Sequence, residues 1–169
     1  MRVHQRTVLP STPYDQKLDR ESINPGYQAF EKFISGMYLG EITRNILLSL
    51  IDSVPPLLFN GRSTPLLNSH YGFDSAYMSA IESATSVAGV KSILVERLGF
   101  ELEQVTDDDA EIVRRCCEAA ATRAAHLSGC ALSAVLIQTG RAKLDGDVVR
   151  GEETYKVGVD GRYEIISTL

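Results

Sequence analysis

Two proline-marked breaks, Asn24-Pro25-Gly26 and Pro55-Pro56, frame a stretch whose apolar residues keep a helical period. Phe30, Phe33, Ile34, Met37, Tyr38, Ile42, Ile46 and Leu50 follow i, i+3, i+4, i+7 spacing, which gathers them on one side of an amphipathic helix. The spacing predicts one long helix from Tyr27 that stops before Pro55-Pro56, because proline lacks an amide donor and pushes the residue before it away from helical angles. Such a stripe must lie on other elements, so the rest of the chain has to supply a core. Gly36 and Gly40 inside the stretch point to close contact with another helix.

A second long helix is predicted over TDDDAEIVRRCCEAAATRAAHLSGCALSAVLIQTG. Thr106 or Asp107 caps it, the aspartates and Glu111 face the positive end of its dipole, and Ile112, Cys116, Ala120, Leu127, Ala131, Ala134 and Val135 form its apolar stripe. Between the two helices, residues 55–75 are rich in Pro, Gly, Asn and Ser and are expected to form loops with short turns. SAYMSAIESA reads as a strand end or a helical turn. Gly89 to Gly99, with Val90, Ile93, Leu94 and Leu98, suits a short helix closed by a glycine cap.

The flanks are simpler. Residues 1–26 carry Pro10, Pro13 and Pro25 among scattered charges and read as an extended lead-in with no core of its own. LDGDVVRGEE reads as a polar loop, and Asp160-Gly161 within YKVGVDGRYEII is a hairpin signal.

With 169 residues, 44% of them hydrophobic, the chain is long enough for one domain with a core or a large piece of a bigger one. A net charge of −5 with dispersed Lys and Arg argues against nucleic acid or an anionic membrane as partner. No run of about 18 apolar residues is expected to span a bilayer, and MRVHQRTVLPSTPYD lacks the apolar centre of a secretory signal, so a cytoplasmic location is expected. Cys116, Cys117 and Cys130 show neither a disulfide framework nor a zinc spacing, and read as small apolar residues. His4, His70 and His126 stand far apart in sequence beside no ligand-spaced carboxylate, so no metal site is expected.

Gln28 and Glu31 are three positions apart, share a helix face, and lie near a helix N-terminus, where free amides and the dipole favour negative charge. A carboxylate there serves helix stability or holds a ligand, and the spacing alone leaves both open.

NPGYQAFEKFISGMYLGE resembles the signature of the eukaryotic hexokinase and glucokinase family, NPG followed by FEK or YEK and SGMYLGE. VLPSTPYDQKLDRESINPG is similar to the approach in fungal members, FDSAYMSAIE to a short F…S…I segment, AEIVRRCCEAAATRAAHLSG to the family's long helix, and YKVGVDG to a strand before a phosphate-contacting turn. The resemblance implies an α/β, actin-like ATPase (ribonuclease H-like) fold, here part of the C-terminal large domain, incomplete at both ends and predominantly helical. It implies that Glu31 accepts hydrogen bonds from two hexose hydroxyls, that Gln28 shapes the same wall, and that Gly161 lies near nucleotide phosphates. Arg162 stands where relatives carry serine, and either pairs with phosphate or blocks the turn. Val95 and Glu96 replace a hydroxyl residue usual in relatives.

The implied reaction is transfer of the ATP γ-phosphoryl group to the sugar 6-hydroxyl, glucose to glucose 6-phosphate at the head of glycolysis, with Mg²⁺ as cofactor. The Gly-rich phosphate loop, the NDTVGT-like segment with the catalytic aspartate, and the NTEWG-like segment with a second sugar glutamate do not occur in this sequence. The expectation is a hexokinase-type chain that contributes sugar recognition, is inactive alone, and tends to self-associate. The rival is a truncated or degenerate, non-catalytic hexokinase-like binding or regulatory protein.

Overall fold

The computed structural model describes residues 9–145 and 148–151. In chain order these form α1 (Pro13–Glu21), α2 (Ala29–Ile34), α3 (Gly36–Ile51), α4 (Pro65–Asn68), α5 (Ser75–Ser83), α6 (Val87–Leu98), α7 (Asp107–Gln138), β1 (Ala142–Asp145) and β2 (Val148–Gly151). The α3 and α7 helices pack on each other, with α5 against both and α6 against α5 and α7.

Helix α1 corrects the extended lead-in. Thr12 and Asp15 make a reciprocal capping box, Asp15 Oδ2 accepting the Thr12 amide at 2.7 Å and Thr12 Oγ1 accepting the Asp15 amide at 3.3 Å. Pro13 stands in the first turn, where a missing amide hydrogen costs nothing, and Leu18 reaches the common core. The prolines that suggested an extended segment thus start a helix.

The single helix expected from Tyr27 is broken at Ser35, whose ψ of 134° is extended. Its amide closes α2 on the Glu31 carbonyl at 2.8 Å, and its own carbonyl accepts Tyr38 and Leu39 at the start of α3. The expected stop before Pro55-Pro56 is observed, with Asp52 as the cap. The contact expected of Gly36 and Gly40 is present too: Ser75 Oγ donates to the Gly36 carbonyl and accepts the Gly40 amide at 3.1 Å. A Cβ on Gly40 would lie 2.2 Å from the Phe73 carbonyl oxygen.

Helix α3 is more central than an amphipathic stripe implies, because its polar side is buried as well. Glu41 and Arg44 satisfy each other there through a two-pronged pair at 2.5 and 2.7 Å; Arg44 also donates to the Leu67 carbonyl at 2.9 Å, and Glu41 accepts the Tyr71 amide at 2.7 Å.

Residues 55–75 are loops with short turns, as expected, anchored by buried Leu58, Phe59, Leu67 and Phe73. SAYMSAIESA, read as a strand end or a single helical turn, is instead the nine-residue α5, capped by Asp74 Oδ1 on the Ala76 amide at 2.7 Å. Helix α6 ends on Gly99 at φ 76°, the expected left-handed cap.

Thr106, rather than Asp107, caps α7, and Asp109 completes the capping box. The buried stripe is Ala110, Val113, Cys117, Ala120 and Ala124, rotated by one position from the expected set. Ala120 belongs to both; Ile112 and Cys116 flank the core, whereas Ala134 and Val135 are exposed. Alanine contributes so little apolar contrast that neighbouring registers look alike. By length and composition α7 could cross a membrane, contrary to the expectation of no such segment. The segment is not an unbroken apolar run, and alanines raise its average hydropathy.

LDGDVVRGEE, read as a polar loop, instead holds the end of β1 and all of β2, an antiparallel pair in register from Ala142 with Gly151 to Asp145 with Val148. Asp145-Gly146 carries the same hairpin signal as Asp160-Gly161, which lies outside the described residues.

Candidate functional site

Three groups hold the Asn-Pro-Gly turn in shape. The Asp19 carboxylate accepts the Gly26 amide at 3.0 and 3.1 Å. The Lys32 ammonium, 3% exposed, donates to Asp19 Oδ1 at 2.9 Å and to the Asn24 carbonyl at 2.8 Å. The Ser22 hydroxyl bonds to the Asp19 carbonyl at 2.8 Å and to Asn24 Oδ1 at 3.3 Å. Gly26 takes φ 84°, which glycine tolerates without strain.

The turn delivers Gln28 in the left-handed region, φ 52° and ψ 38°, as the cap of α2. Gln28 and Glu31 were expected in the first turns of the long helix. They instead belong to the separate six-residue α2, with Gln28 just outside it and Glu31 in its first turn. The shared face is real: Gln28 Nε2 donates to Glu31 Oε2 at 2.8 Å. Asn24 Nδ2 in turn donates to Gln28 Oε1. Gln28 and Glu31 are both exposed.

Neither residue lines the clefts around Asp15, around Arg115 and around Phe59. The nearest cleft, about 280 Å³, uses a different face of α2 through Ala29, Lys32 and Phe33, together with Asp15 and Asp19 of α1. Gly161 and Arg162 lie outside the described residues. Val95 is half-buried on α6, and exposed Glu96 accepts the Ser92 hydroxyl at 2.8 Å.

One cluster escaped the sequence. His70 Nε2 stands 3.8 Å from Glu21 Oε2 and His70 Nδ1 3.7 Å from Glu41 Oε1, so the histidine does have neighbouring carboxylates. They come from distant positions and no spacing rule links them. Lys17, bonded to Glu21 at 2.5 Å, holds that carboxyl below its usual range, with His70 and Arg20 adding to the effect against partial burial. These three residues are close enough to share an ion, but they do not suit Mg²⁺, which prefers an octahedron of oxygens. One member is an imidazole, and both Glu41 oxygens are taken by Arg44, with Tyr71 on one of them.

The cysteines are free, as expected, with Cys117 buried, Cys116 half-buried and Cys130 exposed. Burial pushes the Cys116 and Cys117 thiols up, and the nearby Glu82 carboxylate adds to the shift at Cys117.

The hexokinase family's profile matches residues 2–164. Among curated proteins, the chain is similar to Hexokinase-3 of Mus musculus, 42% identical over 151 residues, covering 89% of this chain and 15% of that protein. It is also similar to a glucokinase of Aspergillus niger, 38% identical over 165 residues, covering 92% of this chain and 32% of that protein. Among solved structures, the hexokinase from Schistosoma mansoni complexed with glucose superposes with a TM-score of 0.71 at 32% identity, over 78% of this chain and 29% of that one. The chain therefore spans under a third of the length of these relatives, and its fold is part of the actin-like ATPase fold of hexokinases, mostly helical over this part. A match over nearly the whole sequence, with the same fold across most of it, makes this chain a member of the hexokinase family.

Proposed function

We propose that this chain supplies hexose recognition for an ATP-dependent hexose 6-phosphotransferase that converts glucose to glucose 6-phosphate in the cytoplasm. Glu31 accepts hydrogen bonds from two sugar hydroxyls, and Gln28 completes the same wall. The observation that carries this is the exposed Gln28–Glu31 pair, bonded to each other with Glu31 Oε1 left without a described side-chain partner. A carboxylate accepting from neutral hydroxyls makes charge-assisted bonds, roughly twice as strong as neutral ones. The glucose complex of the Schistosoma mansoni relative supports a hexose as the ligand class.

ATP with Mg²⁺ belongs to the proposed whole reaction, with Gly161 near the phosphates. The aspartate that takes the hydroxyl proton falls in a segment absent from this sequence, so the chain's own part is binding. A non-catalytic, hexokinase-like binding or regulatory role is the second reading, favoured by Arg162 at the serine position. NMR titration of the chain with D-glucose, with glycerol at matched hydroxyl concentration as control, tests hexose recognition. Glucose-specific shifts centred on Gln28 and Glu31 and lost in Glu31→Ala are expected; no shift, or the same shift with glycerol, overturns it.

A further inference from the structure

We infer that Asn24 is a positioning residue that sets which way round the Gln28 carboxamide lies, and thereby keeps Glu31 an acceptor toward a ligand; the ligand part rests on the hexose reading above. A carboxamide has an acceptor oxygen and a donor nitrogen of nearly equal size, so its partners decide its orientation. Gln28 lies between two such partners. On one side the ionised Glu31 carboxylate only accepts, and it takes Gln28 Nε2–H at 2.8 Å. On the other side Asn24 offers its nitrogen to Gln28 Oε1, while its own oxygen takes the longer branch, at 3.3 Å, of a Ser22 hydroxyl whose single hydrogen is shared with the Asp19 carbonyl at 2.8 Å.

The direction of donation runs one way, from Asn24 through Gln28 to Glu31. Asn24 is fixed at its other end as well, its carbonyl held by buried Lys32 at 2.8 Å. Glu31 Oε2 receives one hydrogen from the protein, and Oε1 stays available for hydroxyl donors. Were the Gln28 amide reversed, its carbonyl would face the Glu31 carboxylate. That repulsion would displace the carboxylate from the position in which Oε1 is offered to a hydroxyl.

Asn24→Asp isolates the effect. It preserves side-chain size and the acceptor for Ser22 while placing a second acceptor against Gln28 Oε1, so the Gln28 amide should turn over and donate to the introduced carboxylate. The readout is the Gln28 side-chain amide resonance, assigned by its loss in Gln28→Met and followed through carboxylate pH titration. In the wild-type chain this resonance should follow a titration that Glu31→Gln abolishes. In the Asn24→Asp background the titration should survive Glu31→Gln; its disappearance there overturns the proposal. Asn24→Ala, which removes the donor without adding charge, should reduce the wild-type titration amplitude, and an unchanged amplitude also overturns the proposal. Unaltered backbone amide shifts in α1 and α2 distinguish these effects from unfolding. Glucose titration of the same samples separates the two ideas: an amide that turns over with no glucose response at Glu31 sinks the hexose reading alone, while a glucose response with an amide that does not turn over sinks the role of Asn24.

Discussion

Asp15 on α1 accepts both terminal nitrogens of Arg123 on α7, Nη1 on Oδ2 and Nη2 on Oδ1, each at 2.7 Å. The same Asp15 carboxylate completes the Thr12 capping box, and the Arg123 guanidinium lies 5.4 Å from the Phe33 ring centroid. One ion pair thus fastens the first two helices, and with them the turn that presents Gln28, onto α7. Removing one partner of a buried pair strands the other, at a typical loss of about 3–5 kcal/mol. Arg123 keeps some solvent contact, so Arg123→Ala should destabilise by about 3 kcal/mol, the low end of that range. The urea midpoint should fall with the slope unchanged. A loss below about 1 kcal/mol would mean the pair behaves as an exposed one.

Gly40 marks where α3 meets the backbone entering α5. An added Cβ would lie 2.2 Å from the Phe73 carbonyl oxygen and 2.8 Å from the Ser75 amide nitrogen, and neither backbone atom can swing aside as a flexible side chain would. Although alanine is the better helix former by about 1 kcal/mol, Gly40→Ala is expected to destabilise by about 1–3 kcal/mol through overpacking. A melting temperature equal to or above that of the parent would disprove the close approach.

The family and the main helices were legible because they depend on local pattern: the signature around Gln28 and Glu31, the stop before Pro55-Pro56, and the Gly99 cap. What escaped depends on partners distant in sequence. The break at Ser35 coincides with Ser75 bonding to Gly36 and Gly40, which no window around Ser35 contains. Helix α1 needed Thr12 and Asp15 to be seen as a cap rather than as punctuation around Pro13. The α7 stripe was displaced by one position because its alanines give little contrast between faces. Glu31 stands out in the sequence through resemblance alone, whereas the Asn24–Gln28–Glu31 chain follows from a turn conformation fixed by Asp19 and Lys32.

Thiol titration gives stability a direction at alkaline pH. Cys117 is buried and its thiol is pushed above the ordinary value of 9.0, first by burial and then by Glu82; Cys116 shifts the same way through burial. The unfolded chain releases these protons before the folded one does, so above about pH 8.5 the unfolded state binds fewer protons and stability falls as pH rises. Stability from this source is complete below the unfolded value. The loss approaches about 1.4 kcal/mol per pH unit for each thiol still protonated in the fold. Cys117→Ala should flatten the decline in denaturation midpoint above that pH, and an unchanged decline would rule the thiol out as its origin.

The second half of α7 offers a surface for self-association. Leu132 and Val135 are 40% and 57% exposed, in the part of α7 beyond Ala124, the last of its buried positions. Exposed apolar patches beyond a few hundred Å² are uncommon on soluble monomers and favour association. Sedimentation should show concentration-dependent species larger than a monomer, reduced by Leu132→Glu with Val135→Glu. A monodisperse monomer with a sharp, cooperative thermal transition would contradict this expectation.

The chain by itself should not phosphorylate glucose, and any glucose binding should be weaker than millimolar. Hydrogen bonds to a charged group such as the Glu31 carboxylate contribute roughly 1.5–3 kcal/mol each, with Gln28 adding less. Association costs about 4–15 kcal/mol in lost translational and rotational freedom, and neither Gln28 nor Glu31 lines the clefts around Asp15, around Arg115 and around Phe59, which would add enclosure. Turnover should fail on separate grounds. The resemblance assigns proton removal to an aspartate in an NDTVGT-like segment that this sequence lacks, and a positioned general base typically supplies roughly 10²- to 10⁴-fold. The Gly-rich phosphate loop, which would hold the transferred group in line, is absent from the sequence too, and positioning supplies much of what remains of the rate. A coupled glucose 6-phosphate assay on the purified chain, with Glu31→Ala and an active full-length relative as controls, is expected to read background. Activity above background that disappears in Glu31→Ala would show that the chain holds a catalytic base of its own and would replace the binding-only role with a complete enzyme.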